Sequence, residues 1–201
     1  DDLFGDDLLA ERGLALAAAD RRAVGEALAR QLEHSDTVAC RPDLAPESLS
    51  ATLVWHLAPD VATLTDLYST QGLEVTNDLR VWTAVLESWR PLHPARLQDR
   101  LAELATGRFR GTGRFWLPGR PGAICAWDGV GGQLSIGTVG RWSGKPVTRL
   151  TFTGIDGDLT RLRAVFGDVL MTDSELARGL ASWAGRDDGF SPWLGEIDQA
   201  A

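Results

Sequence analysis

The residue types able to do chemistry in this chain are three histidines, two cysteines, some paired acids and a run of arginines. Cys40 and Cys125 lie far apart and fit neither CxxC nor CxC spacing, so they read as two reduced, buried thiols and not as a zinc set or a disulfide framework. His34 and His56 have no Cys, Asp or Glu at ligand spacing. His93 stands directly before Pro94, a position suited to a helix start, with metal transfer as the other use open to it. No Ser, His and Asp combination and no nucleophile elbow emerges, and Asp187-Asp188 reads as a solvated loop. Phosphate binding through GxxxxGK[ST] needs backbone N–H groups around the phosphates, a lysine against their charge and a hydroxyl on Mg²⁺. The one lysine, Lys145 in Ser143-Gly144-Lys145-Pro146, lacks both the upstream glycine and the following hydroxyl. Arginines at 108, 110, 114, 120 and 141 are interleaved with Trp116, Trp127 and Trp142. Core packing of the tryptophans or a cation–π and base-stacking face are the two readings of that pattern.

The elements that must position these groups follow from composition and period. With 201 residues, 44% apolar and 24% charged, the chain can bury one good core or two small ones. No apolar run approaches the length of a membrane span, and the acidic start Asp1-Asp2-Leu3-Phe4-Gly5-Asp6-Asp7 is unlike a signal peptide, so a cytoplasmic location is expected. The net charge of −8 is unevenly spread. Residues 1–79 hold 5 basic and 15 acidic side chains, residues 80–150 hold 11 and 4, and residues 151–201 hold 4 and 9. Either this basic island faces its acidic flanks within one fold, or it is a docking face for an anionic partner, with Arg108, Arg110 and Arg114 as its contact residues.

A helix is predicted from Asp20, as its cap, to Glu33, followed by a strand at 37–40, a helix from about Pro46 to Leu57 and a strand at 61–64. Strand, helix and strand at this spacing predict a parallel α/β unit. Residues 66–80 show no period and read as a linker, so the expected domains are 1–79 and 80–201. In the second, strands are predicted at 81–89, 108–117, 123–128, 133–139 and 148–154. Helices are expected to start at His93-Pro94, at Asp158 and at a Thr172/Glu175 capping box. The fold class expected is α+β, an antiparallel sheet with helices on one face.

Six segments in order complete the reading: Trp89-Arg90-Pro91-Leu92-His93-Pro94, Gly113-Arg114-Phe115-Trp116-Leu117, Gly131-Gly132-Gln133-Leu134, Gly140-Arg141-Trp142, Leu150-Thr151-Phe152-Thr153-Gly154-Ile155-Asp156 and Leu170-Met171-Thr172-Asp173-Ser174-Glu175-Leu176. In that order the chain resembles the C-terminal domain of the CobW family of GTP-dependent metal-insertion and zinc-homeostasis proteins. In such a protein GTP and Mg²⁺ belong to an N-terminal P-loop GTPase domain, and zinc or cobalt is the carried metal. This chain shows neither the P-loop nor the family's CxCC motif.

The resemblance makes residues 1–79 the end of the GTPase-like α/β domain plus a linker. The run from Arg30 to Leu44 resembles the segment leading into NKxD, the guanine-reading loop. At its positions Cys40 replaces the asparagine, Arg41 replaces the lysine and Asp43 matches the aspartate. Cysteine cannot supply the paired amide groups, and arginine keeps the charge without the geometry. Asp43 could still accept from guanine or could cap the helix near Pro46. The resemblance further implies a metal-requiring client protein as partner. The alternative is a non-catalytic adaptor bound to the ribosome or another anionic partner when metal is scarce. General DNA binding is not expected from an acidic chain with one lysine. The chain begins without methionine, partway through what resembles a domain, so a longer protein is expected.

Overall fold

A computed structural model describes residues 2–4, 7–15, 17, 20–35, 37–40, 49–58, 63–66, 80–157 and 159–197. The first part holds α1 (Val24–Glu33), β1 (Thr37–Cys40), α2 (Leu49–Leu57) and β2 (Thr63–Asp66). β1 and β2 pair in parallel, Thr37 opposite Thr63, and α2 lies between them in sequence, as a parallel α/β connection requires. α1 begins at Val24, not at Asp20. The Asp20 carboxylate instead accepts from the Arg22 backbone N–H at 3.2 Å and from its guanidinium, and the helix is entered through Ala23 without a side-chain cap.

The second part runs β3 (Val81–Ser88), α3 (Pro94–Ala105), β4 (Phe109–Phe115), β5 (Ala123–Val130), β6 (Gln133–Arg141), β7 (Thr148–Ile155), α4 (Leu159–Val169), α5 (Asp173–Ala177) and α6 (Ser191–Leu194). Its five strands form an antiparallel sheet in the order β3-β7-β4-β5-β6. β4, β5 and β6 are a meander, whereas β7 inserts between β3 and β4. This is the expected small α+β architecture.

One face of the sheet carries the main core. Leu86, Phe109, Phe115, Trp127, Leu150 and Phe152 pack there against Leu97 and Leu104 of α3 and Leu162, Val165, Phe166 and Val169 of α4. The α4 positions recur at three and four residues, so one stripe of that helix is apolar and turned inward. Each fully buried Leu, Val or Phe contributes about 1.5–3 kcal/mol of transfer free energy. The core-facing positions of β4 are Phe109, Gly111, Gly113 and Phe115, and the two glycines make room for their neighbours. A Cβ at Gly111 would come within 2.7 Å of the Phe152 ring. At Gly113 (φ 148°) it would strike the Arg149 carbonyl of β7. The helices are not confined to this face. α2 packs on β3 and β7, and α1 on β5, over the opposite side, where Val81 and Ile155 meet Leu53 and Leu57.

Candidate functional site

The segments on which the family resemblance rests turn out to hold one another. The Leu92 N–H donates to the Trp116 carbonyl at 3.1 Å, that of His93 to Val169 at 2.7 Å and that of Met171 to Pro91 at 3.0 Å. Arg90 reaches the Met171 carbonyl at 3.3 Å and the Asp173 carboxylate at 2.7 Å. Arg96 grips both oxygens of Glu175, at 2.7 and 2.8 Å, and the Leu170 carbonyl at 2.9 Å. Thr172 and Glu175 form the expected capping box of α5. The Arg96 hydrogen bond, helped by those from Thr172, holds the Glu175 carboxyl far below the ordinary glutamate value.

His93 caps α3, its Nδ1 accepting from the Arg96 N–H at 3.4 Å. Its ring meets Trp183 edge to face at 5.1 Å, and Nε2 lies 3.7 Å from Glu175. Burial, followed by the charge of Arg96, lowers its pKa below the usual histidine value. This is a histidine used for helix capping and packing.

The three arginines expected to bind a partner do not form one surface. Arg110 is 4% exposed and lies under α1. Its guanidinium donates to both Glu33 oxygens at 2.8 and 3.0 Å, to Asp128 and to the Gly129 carbonyl. Burial alone would depress it; Glu33 and Asp128 outweigh that and raise it above the ordinary arginine value. Arg30 of α1 adds a second link to Asp128 at 3.0 Å. Arg108 is half exposed and pairs with Asp156 at 3.3 Å. Arg114 is exposed, and its guanidinium carbon lies 5.4 Å from the centre of the Trp142 ring.

The same internal pairing accounts for much of the basic island. Arg90 meets Asp173, Arg96 meets Glu175, Arg100 meets Asp168, Arg110 meets Glu33 and Arg120 meets Asp188, all acids from the two flanks. Asp188 is accordingly no solvated loop residue. It is 5% exposed, and Arg120, itself 7% exposed, donates to its two oxygens at 2.6 and 3.2 Å. Arg120 also donates to the Gly195 carbonyl at 2.6 Å and the Ser191 hydroxyl at 3.2 Å, which ties the C-terminal segment to the turn after β4. Between them lies a cavity of about 670 Å³ lined by Pro118, Gly122, Thr138, Leu180, Ala184 and Ile197 among others. Its walls are mostly small and apolar, and the Arg120 charge beside it is already matched.

Of the guanine-loop positions, Arg41 and Asp43 lie outside the described residues. Cys40 ends β1 opposite Asp66, and its side chain also lies outside the description. No group of three His, Cys, Asp or Glu side chains able to hold a metal occurs among the described residues. Cys125 is buried in the core, and burial pushes its thiol up to about 12, away from the thiolate a metal requires. The described donor sets therefore do not fit a zinc or Mg²⁺ site. Among the same residues no helix is long and apolar enough to cross a membrane.

The geometry defines a small α+β module whose signature residues build its own framework and, among the described residues, leave one sheet face partly uncovered. Residues 81–170 match the family model described as the cobalamin synthesis protein cobW C-terminal domain. Among solved structures the chain is similar to the Zn(II)-bound YjiA GTPase from E. coli, at 16% identity and a TM-score of 0.41 over 73% of this chain and 54% of that one. A Zn(II)-bound triple mutant of YjiA is similar at 14% identity, with the same TM-score and coverage. The chain thus spans about half the length of the structures it matches. No curated protein matches it.

Proposed function

We propose that this chain is the client-recognition or partner-recognition half of a GTP-dependent metal chaperone or metal-homeostasis protein, with zinc or cobalt as cargo. The observation that carries this is the match of residues 81–170 to the CobW C-terminal domain family model. Two features support it. The P-loop and CxCC motifs implied by the family do not occur in that segment, which suits a recognition role. The Arg110, Glu33 and Asp128 cluster fastens α1 to the sheet, and residues 1–79, in this reading, are the end of a GTPase-like domain. A client bound to the sheet is then mechanically joined to the nucleotide-binding half.

The test is metal binding by the full-length protein with and without GTP, measured by equilibrium dialysis. Zinc or cobalt bound in a GTP-dependent way is the expected result; no metal under either condition overturns the proposal. Asp43→Asn in the same protein is expected to weaken guanosine nucleotide binding, and an unchanged affinity removes Asp43 from the guanine loop.

The adaptor reading rests on Cys40-Arg41 in that loop and on the exposed Arg114 beside Trp142. Its expected sign is co-sedimentation with ribosomes that falls steeply with salt and is lost on reversing Arg108 and Arg114. Arg110 drops out of that test because its charge is spent inside the fold.

A further inference from the structure

Among the described residues, α1 and α2 cover only part of the sheet face opposite the main core. Register places Thr83, Thr153, Arg110 and Val130 in one cross-strand row beneath α1 and α2. Four residues along β4 comes the row Glu87, Arg149, Arg114 and Ala126. There Arg114 and Arg149 stand directly opposite one another, like charges at a cross-strand position that costs the sheet stability. Glu87, 3.0 Å from Arg149, is the one carboxylate of the row and is shared with solvent, both side chains being about half exposed. Large apolar groups surround these charges. Val85 of the same face is 47% exposed, and Trp89, directly after β3, is 62% exposed. Trp89 opens the Trp89–Pro94 segment whose Leu92 is completely buried, yet it contributes little to the packing of the fold. Exposed tryptophan and arginine side by side have the composition of an interface centre.

The covered part of this face shows what answers such a surface. Arg110, on the same strand and the same side, is met by the Glu33 carboxylate of α1. We propose that the open part, centred on Arg114 and Arg149, is a docking surface for an acidic segment of a partner protein. Carboxylates of the partner meet the two guanidinium groups, and its apolar side chains cover Val85, Trp89 and Trp142. The surface stands on register and exposure; its assignment to a client rests on the proposed function. RNA is the weaker fit, because Glu87 sits within the row and the chain is net −8 with a single lysine.

The test uses the 201-residue chain and a fluorescein-labelled helical peptide with glutamates at i and i+4 beside leucines. The same peptide with glutamine for glutamate and a labelled oligouridylate are the comparison arms. Fluorescence anisotropy is expected to show binding of the acidic peptide only. Arg114→Glu with Arg149→Glu should weaken it about tenfold or more, and Glu87→Gln should tighten it. Both substitutions are at exposed positions, and circular dichroism checks that the fold persists. Equal binding by the doubly reversed variant, equal binding of the glutamine peptide, no peptide binding, or tighter binding of oligouridylate overturns the proposal. None of these results touches GTP-dependent metal binding by the full-length protein, so the two readings fail separately.

Discussion

The two faces of the five-stranded sheet are made by alternate residues of the same strands, yet they are held by different physics. On the α3 and α4 side, Phe109, Phe115, Trp127, Leu150 and Phe152 exclude water and gain from shape, with Phe109 and Phe152 edge to face at 5.5 Å. On the α1 and α2 side, much of the contact is directional. Arg110 is pinned by Glu33 and Asp128, and His56 meets Thr83 at 2.7 Å, which in turn meets Thr153 at 2.9 Å. An apolar face fails as a unit when any part is cut away. A face joined by a few polar contacts can release one element and keep the rest, which suits a surface meant to exchange partners.

The contrast is broken most directly at Phe152. Phe152→Ala should cost about 3–5 kcal/mol, because the cavity opens beside Gly111, which has no side chain to refill it. Urea melts should show the whole sheet lost together. Arg110→Ala should cost about 1–3 kcal/mol, since the partly exposed Glu33 and Asp128 can regain water. Here hydrogen exchange should rise in α1 well before it rises in β7; uniform exchange would erase the distinction between the faces.

A smaller effect is expected at the Arg96–Glu175 clamp. Glu175 has a depressed carboxyl, so its contribution is complete above the unfolded value of about 4.3 and is lost as pH falls below it. Thermal melts of the wild type and Glu175→Gln should therefore differ most at pH 7 and draw progressively closer as pH falls below about 4. His93 acts on the acid side too. Its lowered pKa means that the unfolded chain binds the proton first, and stability declines as pH drops below about 6.5. The smallest effect should be at Cys125, with its thiol near 12: a thiol reagent at pH 8 should leave it unlabelled until urea unfolds the protein.

Much of the second domain was legible because its strands are short, period-two runs between Gly and Pro turns, and because Thr172 and Glu175 spell a capping box. The sequence puts the N-terminal helix cap three residues early, at Asp20 and not Ala23, since Asp20 fits a cap by type and nothing in the sequence shows Arg22 claiming it. Arg110, as a docking residue, and Asp188, as a loop acid, read as surface groups for a shared reason. A charged residue reads as exposed unless its partner is known, and these partners lie 77 and 68 residues away. The only signal that could have found them was the charge imbalance itself, an excess of cations in one segment matched by acids in its neighbours.

The position of β7 has a consequence for how this domain comes into being. Synthesis delivers β3 first and β7 last of the five strands, yet β7 is the one that β3 and β4 share. Until residues 148–155 leave the ribosome, β3 has no neighbour and the meander of β4, β5 and β6 has an unpaired side. Assembly must wait for long-range pairings such as Val81 with Ile155, and the sheet closes in one late step instead of growing strand by strand. A nascent chain halted before Thr148 is thus left with two separate pieces, each with an open edge that β7 would have covered.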